Sequence, residues 1–220
     1  MRTKIVYEDR DILICHKPAG LATQSSCVSQ PDVVSELKNR LAGGYVGIVH
    51  RLDQPVEGLL VFAGNPRAAA ALSRQLAEGT LRKRYCALVW GRPADEEGEL
   101  TDYLLKEGSH SRVVPENTPG AKRAVMRYRI RETGRESGAG THTCLDIRID
   151  TGRFHQIRCQ LAHGGMPILG DQKYGTAESL QESRSLGIRQ VALCACEILL
   201  EHPVTGRKIS YEISPNWINC

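Results

Sequence analysis

Short apolar segments separated by turn-forming residues recur along the 220-residue chain and predict a series of strands and helices. The apolar runs of strand length predict strands at Lys4–Tyr7, Asp11–Cys15, Gly58–Ala63, Arg84–Trp90, Ala124–Arg131, Cys144–Ile149, Gln190–Leu199 and Lys208–Ile213. Apolar residues at helical spacing predict helices over Val33–Leu41, from the cap Asn65-Pro66 to about Gly79, and from a start within Thr151–Arg158 to His163-Gly164-Gly165.

The order of these elements bounds the fold. Strands and helices are mixed without strict alternation, which is typical of the α+β class. The segments 91–120 and 134–140 are polar and rich in Gly, Pro and Asp, and we interpret both as surface excursions. Because the chain has no internal repeat and no clear linker, we expect a single domain over residues 1–220.

Composition and charge narrow the possible classes of protein. Hydrophobic residues make up 41% and charged residues 25% of the chain, as in globular proteins and unlike disordered or fibrous ones. The first twenty residues lack the apolar run of a signal peptide, and no segment approaches the ~20 apolar residues of a membrane span. We therefore expect a cytoplasmic protein. The net charge of +4 is mild, but basic residues cluster at Arg82-Lys83-Arg84 and at Arg127, Arg129 and Arg131.

The eight cysteines predict neither a disulfide scaffold nor a metal site. They are dispersed in a chain without an export signal, so we expect most of them to be reduced and buried. The close pair Cys194-Ala-Cys196 has the spacing of two residues on one face of a strand, and no second pair at zinc-like spacing accompanies it. We expect no bound metal.

Two segments carry candidate chemistry. The first, Ile48–Leu60, places Asp53 in a loop with Pro and Gly before a buried strand, where reactive groups are often presented; an Asp at such a place also serves commonly as a turn or cap residue. The second, Thr151–Arg158, contains Arg153 and Arg158, which simple solvation would also explain, and His155, which we interpret as a hydrogen-bonded structural residue rather than a base.

Four motifs in order make the chain resemble the RluA-like RNA pseudouridine synthases. Asp11–Gly20 is similar to the family's opening motif, and His50-Arg-Leu-Asp53 with Gly58-Leu-Leu60 is similar to its catalytic motif. Lys83–Gly91 resembles its tyrosine motif. Thr151–Arg158, followed by Gly164, Pro167-Ile168 and Gly170–Gly175, resembles its last motif.

The resemblance implies a fold, an activity and a set of roles. It implies a pseudouridine synthase catalytic domain with a central mixed, mostly antiparallel sheet, flanking helices and an active-site cleft. Asp53 would be the catalytic carboxylate, Tyr85 would stack on the target base, Arg158 would pair with the carboxylate, and Arg51 would fill the place of the extruded base. For Tyr85, packing in the core is the alternative from the residues alone. The reaction requires no cofactor, because isomerisation involves no redox change.

The same resemblance implies RNA as the partner, either tRNA or large-subunit ribosomal RNA, with no DNA or membrane partner, and we expect a monomer. Members of the family commonly carry an amino-terminal S4 domain, which we expect this chain to lack because its strand pattern begins near Lys4. Recognition would then fall to the catalytic domain, and we expect the clusters at Arg82-Lys83-Arg84 and at Arg127, Arg129 and Arg131 to contact phosphates on one face of a sheet.

Three departures from the family's pattern bear on substrate choice rather than on the reaction. Val56-Glu57 replaces a Thr-Ser-like pair, His16 replaces Asn before Lys17-Pro18, and Phe154 replaces Thr or Ser before the His of the last motif. Two other functions remain open: an RNA-binding protein without useful turnover, and an N-glycoside hydrolase that would release free uracil.

Overall fold

The computed structural model describes residues 1–25, 27, 29–133, 141–215 and 217, with the side chains of 132 and 133 excepted. Over these residues the strands are β1 (Lys4–Glu8), β2 (Ile12–Lys17), β3 (Gly47–Ile48), β4 (Glu57–Ala63), β5 (Arg82–Trp90), β6 (Glu97–Glu107), β7 (His110–Val114), β8 (Lys122–Thr133), β9 (His142–Ile149), β10 (Leu193–Glu201) and β11 (Lys208–Glu212). The helices are α1 (Val33–Arg40), α2 (Pro66–Glu78), α3 (Gln156–His163) and α4 (Ala177–Ser185).

The chain divides into two compact units. The first is formed by Met1–Lys83 together with the chain from Cys194 through β11, and the second by Arg84–Leu193. The first unit is therefore discontinuous in sequence. The expectation of one catalytic domain over residues 1–220 stays a prediction.

The strands of the first unit pair mainly antiparallel. β2 lies between β1 and β4, β3 adds to β4, and β11 pairs with β10, all antiparallel, whereas β4 and β10 run parallel. All seven residues of β4 are buried, as its continuous apolar run predicts. The strand that follows the Asp53 loop is thus a rigid, fully covered element.

Helix α2 begins and ends at its predicted caps, whereas the cap of α1 was not predicted. Asp32 caps α1 by accepting a hydrogen bond from Ser35, and Asn65 caps α2 by accepting one from Ala68. Gly79 ends α2 in the left-handed conformation. The apolar face of α2 packs into a core shared with β2, β4 and β10, whose buried members are Ile12, Ile14, Leu59, Val61, Ala63, Ala68, Leu72, Leu81, Ile198 and Leu200.

The second unit contains an antiparallel sheet in the order β5-β9-β8-β6-β7. Helix α3 contacts β6 and β7, and Cys159 of α3 packs against Leu104 and Ala124 in a small core. With the first unit, this arrangement confirms the α+β class and the mostly antiparallel strand pairing.

One prediction about an element needs correction, and one element was not predicted. Residues 91–120 are not a surface excursion, because they carry β6 and β7. Helix α3 starts at Gln156, within the predicted range, because His155 adopts a left-handed conformation with φ 52°. Helix α4, whose first turn is closed by a capping box at Thr176 and Ser179, was not predicted. The excursion at 134–140 lies outside the described residues.

Two global expectations can be compared with the described residues. Cys15, Cys86, Cys144, Cys159, Cys194 and Cys196 are buried as expected, whereas Cys27 is exposed. None of the helices in the described part of the chain is long and apolar enough to cross a membrane.

Candidate active site

The loop that carries Asp53 joins β3 to β4 and is fixed by hydrogen bonds to the segment after β2. The hydroxyl of Thr23 donates to the carbonyl of Leu52 at 2.9 Å and accepts from the Leu52 amide at 3.1 Å. Gly20 donates its amide to the carbonyl of Gln54 at 2.9 Å, and Val56 donates to the carbonyl of Asp53 at 3.1 Å. These hydrogen bonds hold the backbone of the loop in one conformation around Asp53.

Burial alternates along this loop. His50 and Leu52 are buried, while Arg51 is exposed and Asp53 is partly exposed. The imidazole Nε2 of His50 accepts a hydrogen bond from the amide of Val61 in β4 at 3.3 Å. Burial lowers the pKa of His50 well below its usual value, and the charge of Lys83 lowers it further, so His50 is neutral at pH 7. The anchored residues thus hold Arg51 and Asp53 at the accessible positions.

Lys17, at the end of β2, is a buried cation beside this loop. Its side chain is 0% exposed, and its ammonium donates to the carbonyls of Leu21 at 2.7 Å and of Pro18 and Gln54 at 3.1 Å. Burial lowers the pKa of Lys17 to about 8, while the negative charges of Asp53 and Glu57 oppose that shift. The opening motif contained Lys17, but nothing in the sequence pattern indicated that it would support the Asp53 turn.

Tyr85 lies in β5 of the second unit, opposite Ile147 of β9, and is 4% exposed. Such burial agrees with the packing in the core that the residues alone also allowed. Stacking of Tyr85 on a base stays a prediction.

Arg158 lies in α3 of the second unit and is bound by a residue to which the sequence analysis gave no role. Its guanidinium donates from Nε and Nη2 to the two carboxylate oxygens of Asp171, at 2.7 and 2.8 Å. Asp171 also accepts the amides of Lys173 at 3.0 Å and Tyr174 at 3.2 Å. A buried arginine requires a carboxylate partner, and the Asp of the motif Gly170–Gly175 was the available signal.

His155 is hydrogen bonded, as predicted. Its Nδ1 lies 2.9 Å from the hydroxyl of Tyr174, and the same hydroxyl accepts the amide of Ser111 at 2.7 Å. The Tyr174 hydroxyl thus links His155 to Ser111 of β7.

The predicted basic clusters are partly neutralised within the second unit. Arg84 pairs with Asp146 at 2.9 Å, and Arg127 pairs with both Glu99 and Asp150 at 2.8 Å. Arg129 and Arg131 of β8 are exposed. A phosphate-binding role for this face of the sheet stays a prediction.

Among the described residues, Asp9, Asp11 and His202 have potential metal-ligand atoms within 4.8 Å of one another. The Nδ1 of His202 accepts the amides of Val204 and Thr205, so the proton resides on Nε2, which donates to Asp9 at 2.9 Å. Hydrogen bonding at both ring nitrogens of His202 therefore explains why these side chains lie close together without a metal ion.

The four predicted site residues therefore have defined local settings. Arg51 and Asp53 share one turn of the first unit, whereas Tyr85 and Arg158 belong to the sheet and helix of the second. Their convergence on one uridine stays a prediction, as do their individual roles.

Comparison with known proteins agrees with the motifs. Residues 11–163 match the family model for RNA pseudouridylate synthase. The ribosomal large subunit pseudouridine synthase D of Xanthomonas campestris pv. campestris is 34% identical over 218 residues, which are 93% of this chain and 63% of that protein. The uncharacterized RNA pseudouridine synthase YhcT of Bacillus subtilis is 32% identical over 219 residues, 94% of this chain and 67% of that protein.

The fold is similar to that of human RNA pseudouridylate synthase domain containing 1, with a TM-score of 0.78 at 22% identity over 97% of this chain and 83% of that one. This likeness concerns the fold alone. The chain spans less than two thirds of the length of the Xanthomonas relative. The family match covers the Asp53 loop, Tyr85 and Arg158 together, and the chain belongs to the RNA pseudouridylate synthase family.

Proposed function

We propose that this protein isomerises uridine to pseudouridine in RNA, with Asp53 as the catalytic carboxylate. The observation that carries the proposal is the family match over residues 11–163, which includes His50-Arg-Leu-Asp53. The local structure supports it, because Asp53 is partly exposed in a turn that the buried side chains of Lys17, Thr23 and His50 hold in place. A carboxylate on a fixed turn is suited to attack or deprotonate one position of a substrate.

The reaction conserves atoms and electrons. The bond from ribose C1′ to uracil N1 breaks, the base turns, and a bond from C1′ to C5 forms; C5 loses a proton and N1 gains one. Asp53 serves as a nucleophile toward C1′, as a nucleophile toward C6, or as a base toward the ribose, and each route needs an ionised carboxylate. The balance includes no oxidant or reductant, so the protein's own side chains suffice.

The proposal gives the other three residues supporting roles. A uridine must leave its stack to be reached, at a cost of a few kcal/mol. Tyr85 would offset part of this cost by stacking on the base, at ~1–3 kcal/mol, and Arg51 would occupy the vacated place. Arg158 would pair with Asp53. Its anchoring by Asp171 through Nε and Nη2 supports that role, because it orients the guanidinium before substrate binds.

We propose large-subunit ribosomal RNA as the first substrate to test and tRNA as the second. The order follows the names of relatives such as the Xanthomonas protein and the ribosomal large subunit pseudouridine synthase C of Rickettsia bellii, which is 31% identical over 98% of this chain. We further propose that the protein acts as a monomer in the cytoplasm, where these RNAs are modified.

The test uses unmodified transcripts of large-subunit ribosomal RNA and of tRNA, so that every pseudouridine arises from the added protein. Carbodiimide adducts mapped by primer extension should appear at defined uridines with the wild-type protein and vanish with Asp53→Asn. Asp95→Asn, which changes an exposed carboxylate between β5 and β6, is the matched control and should retain the adducts.

The other outcomes distinguish the remaining functions. Release of free uracil, with abasic sites in the RNA, would identify an N-glycoside hydrolase. RNA binding by wild-type and Asp53→Asn proteins with neither adducts nor uracil would overturn the enzymatic proposal and indicate an RNA-binding protein.

A further inference from the structure

The ring of Phe154 is an exposed aromatic surface in the second unit. Its residue is 39% exposed, and its ring stacks on the imidazole of His155, with centroids 3.9 Å apart and planes inclined by 20°. Phe154 also occupies the position at which the resembled family has Thr or Ser. A planar apolar surface thus replaces a hydroxyl directly before the histidine of the last motif.

The ring stack rests on a fixed support. His155 has a left-handed backbone conformation, and its Nδ1 is hydrogen bonded to the Tyr174 hydroxyl as described above. The Tyr174 ring stands edge-on to His155, at 5.7 Å and 86°. Ser111 of β7 donates its amide to Tyr174 and its hydroxyl to the carbonyl of Phe154. Burial raises the pKa of Tyr174, so its hydroxyl stays protonated at pH 7.

One cation lies over the Phe154 ring, and two further basic side chains of the second unit are held by backbone carbonyls. The Lys106 ammonium lies 4.7 Å from the centroid of the Phe154 ring. Lys173 is held by a bond to the carbonyl of Ser109 at 2.7 Å, and Arg153 by a bond to the carbonyl of Arg123 at 2.9 Å. The neighbouring acid Glu107 is paired with Arg112 at 2.7 Å. The positive charge of Lys106 at the ring, beside a neighbouring acid that is already paired, favours a polyanion over an apolar partner.

We propose that Phe154 stacks a nucleobase of the bound RNA, with Lys106 moving from the ring to an adjacent phosphate. We call this surface of Phe154, His155 and Lys106 the stacking platform. Stacking of a base on an aromatic ring is stronger than an exposed cation–π contact, so the exchange favours RNA. An unpaired nucleotide is the ligand that presents a flat face and a phosphate together. The inference rests on the proposed function for its choice of RNA, although binding can be measured without turnover.

The decisive experiment separates the base from the backbone. Two fluorescein-labelled 12-mers are compared by anisotropy at one salt concentration: oligouridylate, and an abasic ribose-phosphate chain of equal length and charge. Phe154→Ser, which restores a hydroxyl of the kind usual in the family, should weaken oligouridylate binding about tenfold and leave the abasic oligomer nearly unaffected. Phe154→Tyr should keep the wild-type preference. Lys106→Gln should weaken both oligomers.

Tyr45→Leu is the matched control, because Tyr45 is an aromatic residue that is 46% exposed in the first unit and outside the stacking platform. It should bind both oligomers like the wild type. Equal affinities of Phe154→Ser and wild type for oligouridylate would overturn the proposal. If Phe154→Ser fails to fold, by circular dichroism, the comparison of Phe154→Leu with Phe154→Tyr decides in the same way.

The outcome is independent of the isomerase test. Adducts with the wild-type protein but no effect of Phe154→Ser would leave the proposed function intact and remove the platform. A base-dependent loss in Phe154→Ser without any pseudouridine would retain the platform and remove the enzymatic proposal.

Discussion

Arg158 and Asp171 form a two-bond ion pair inside the second unit, with side chains only 4% and 0% exposed. Asp171 also closes the turn that leads to Tyr174, through the amides of residues 173 and 174. One carboxylate therefore orients both the guanidinium of α3 and the tyrosine that supports His155. A loss of Asp171 should be felt at both places.

Asp171→Ala should lower the free energy of unfolding by about 3–5 kcal/mol, because it removes the buried carboxylate that accepts two hydrogen bonds from the Arg158 guanidinium. Pseudouridine formation should also fall, since the guanidinium loses its orientation. Urea unfolding and the adduct assay measure the two effects. Glu107→Ala is the control: its pair with Arg112 is exposed on both sides, and its loss should cost less than 1 kcal/mol. Equal costs for the two variants would contradict the prediction.

From the lowered pKa of Lys17 we expect the free energy of unfolding to rise at alkaline pH. The pKa of Lys17 is about 8 in the folded protein, against 10.5 ordinarily, so between these values the unfolded chain holds a proton that the folded chain has released. Stability from this group therefore increases with pH across that window, by roughly 3 kcal/mol in total. Lys17→Met lacks the increase.

The measurement for Lys17 is urea unfolding of both proteins from pH 7.5 to 10.5. The difference between wild type and Lys17→Met cancels the titration of the cysteines and tyrosines common to both. This difference should widen as the pH rises above 8. Parallel curves would show that Lys17 titrates alike in the folded and unfolded chains.

The elements around the Asp53 loop could be predicted because their signals are local. The continuous apolar run of β4 and the cap Asn65-Pro66 of α2 each specify an element without reference to the rest of the chain. β6 lacks such a signal: most of its residues are exposed or partly exposed, and only Leu104 is buried. Because its few apolar residues form no clear alternating run, its sequence resembles a polar loop.

The candidate site likewise contains residues that the sequence could indicate and residues that it could not. Asp53, Arg51, Tyr85 and Arg158 came from motifs, which preserve residue order and chemistry. The partners that hold the site came from tertiary placement: Lys17 reaches Gln54 across 37 positions, and Thr23 reaches Leu52 across 29. No spacing rule of a helix or strand connects residues so distant, so their pairing required the structure.

From the lowered pKa of His50 we expect the free energy of unfolding to fall in mild acid. Its folded-state pKa lies well below 6.5 because the imidazole is buried, so below pH 6.5 the unfolded chain gains a proton that the folded chain does not. Stability should fall by up to about 1.4 kcal/mol per pH unit from pH 6.5 to 5.0. His50→Gln keeps an acceptor for the Val61 amide and should reduce this slope.

Urea unfolding at intervals from pH 6.5 to 5.0 measures the slope for His50. His163→Gln, at a histidine whose side chain is 60% exposed, should keep the acid-dependent loss, because His50 is still present. A slope that is the same in His50→Gln and in the wild type would assign the acid sensitivity to other groups.

Gly58, in the strand after the Asp53 loop, should not tolerate a larger side chain. It has φ +136°, and a Cβ atom at this position would lie 2.5 Å from the amide nitrogen and 2.6 Å from the carbonyl oxygen of Ala195 in the parallel strand β10. Gly58→Ala should therefore cost about 3 kcal/mol or more, from backbone strain and steric overlap together. Because both obstructing atoms belong to the backbone, a change of rotamer cannot relieve the contact.

A substitution at Gly79 distinguishes backbone strain from steric overlap. It also has a positive φ, +72°, but no heavy atom lies within 4 Å of its Cβ position, so Gly79→Ala should cost only about 1–2 kcal/mol from the left-handed conformation. The difference between the two variants in urea unfolding measures the close approach of β4 and β10. If Gly58→Ala costs no more than Gly79→Ala, the parallel pair is looser than its register implies. In that case the rigidity assigned to the Asp53 turn would have to come from Lys17, Thr23 and His50 alone.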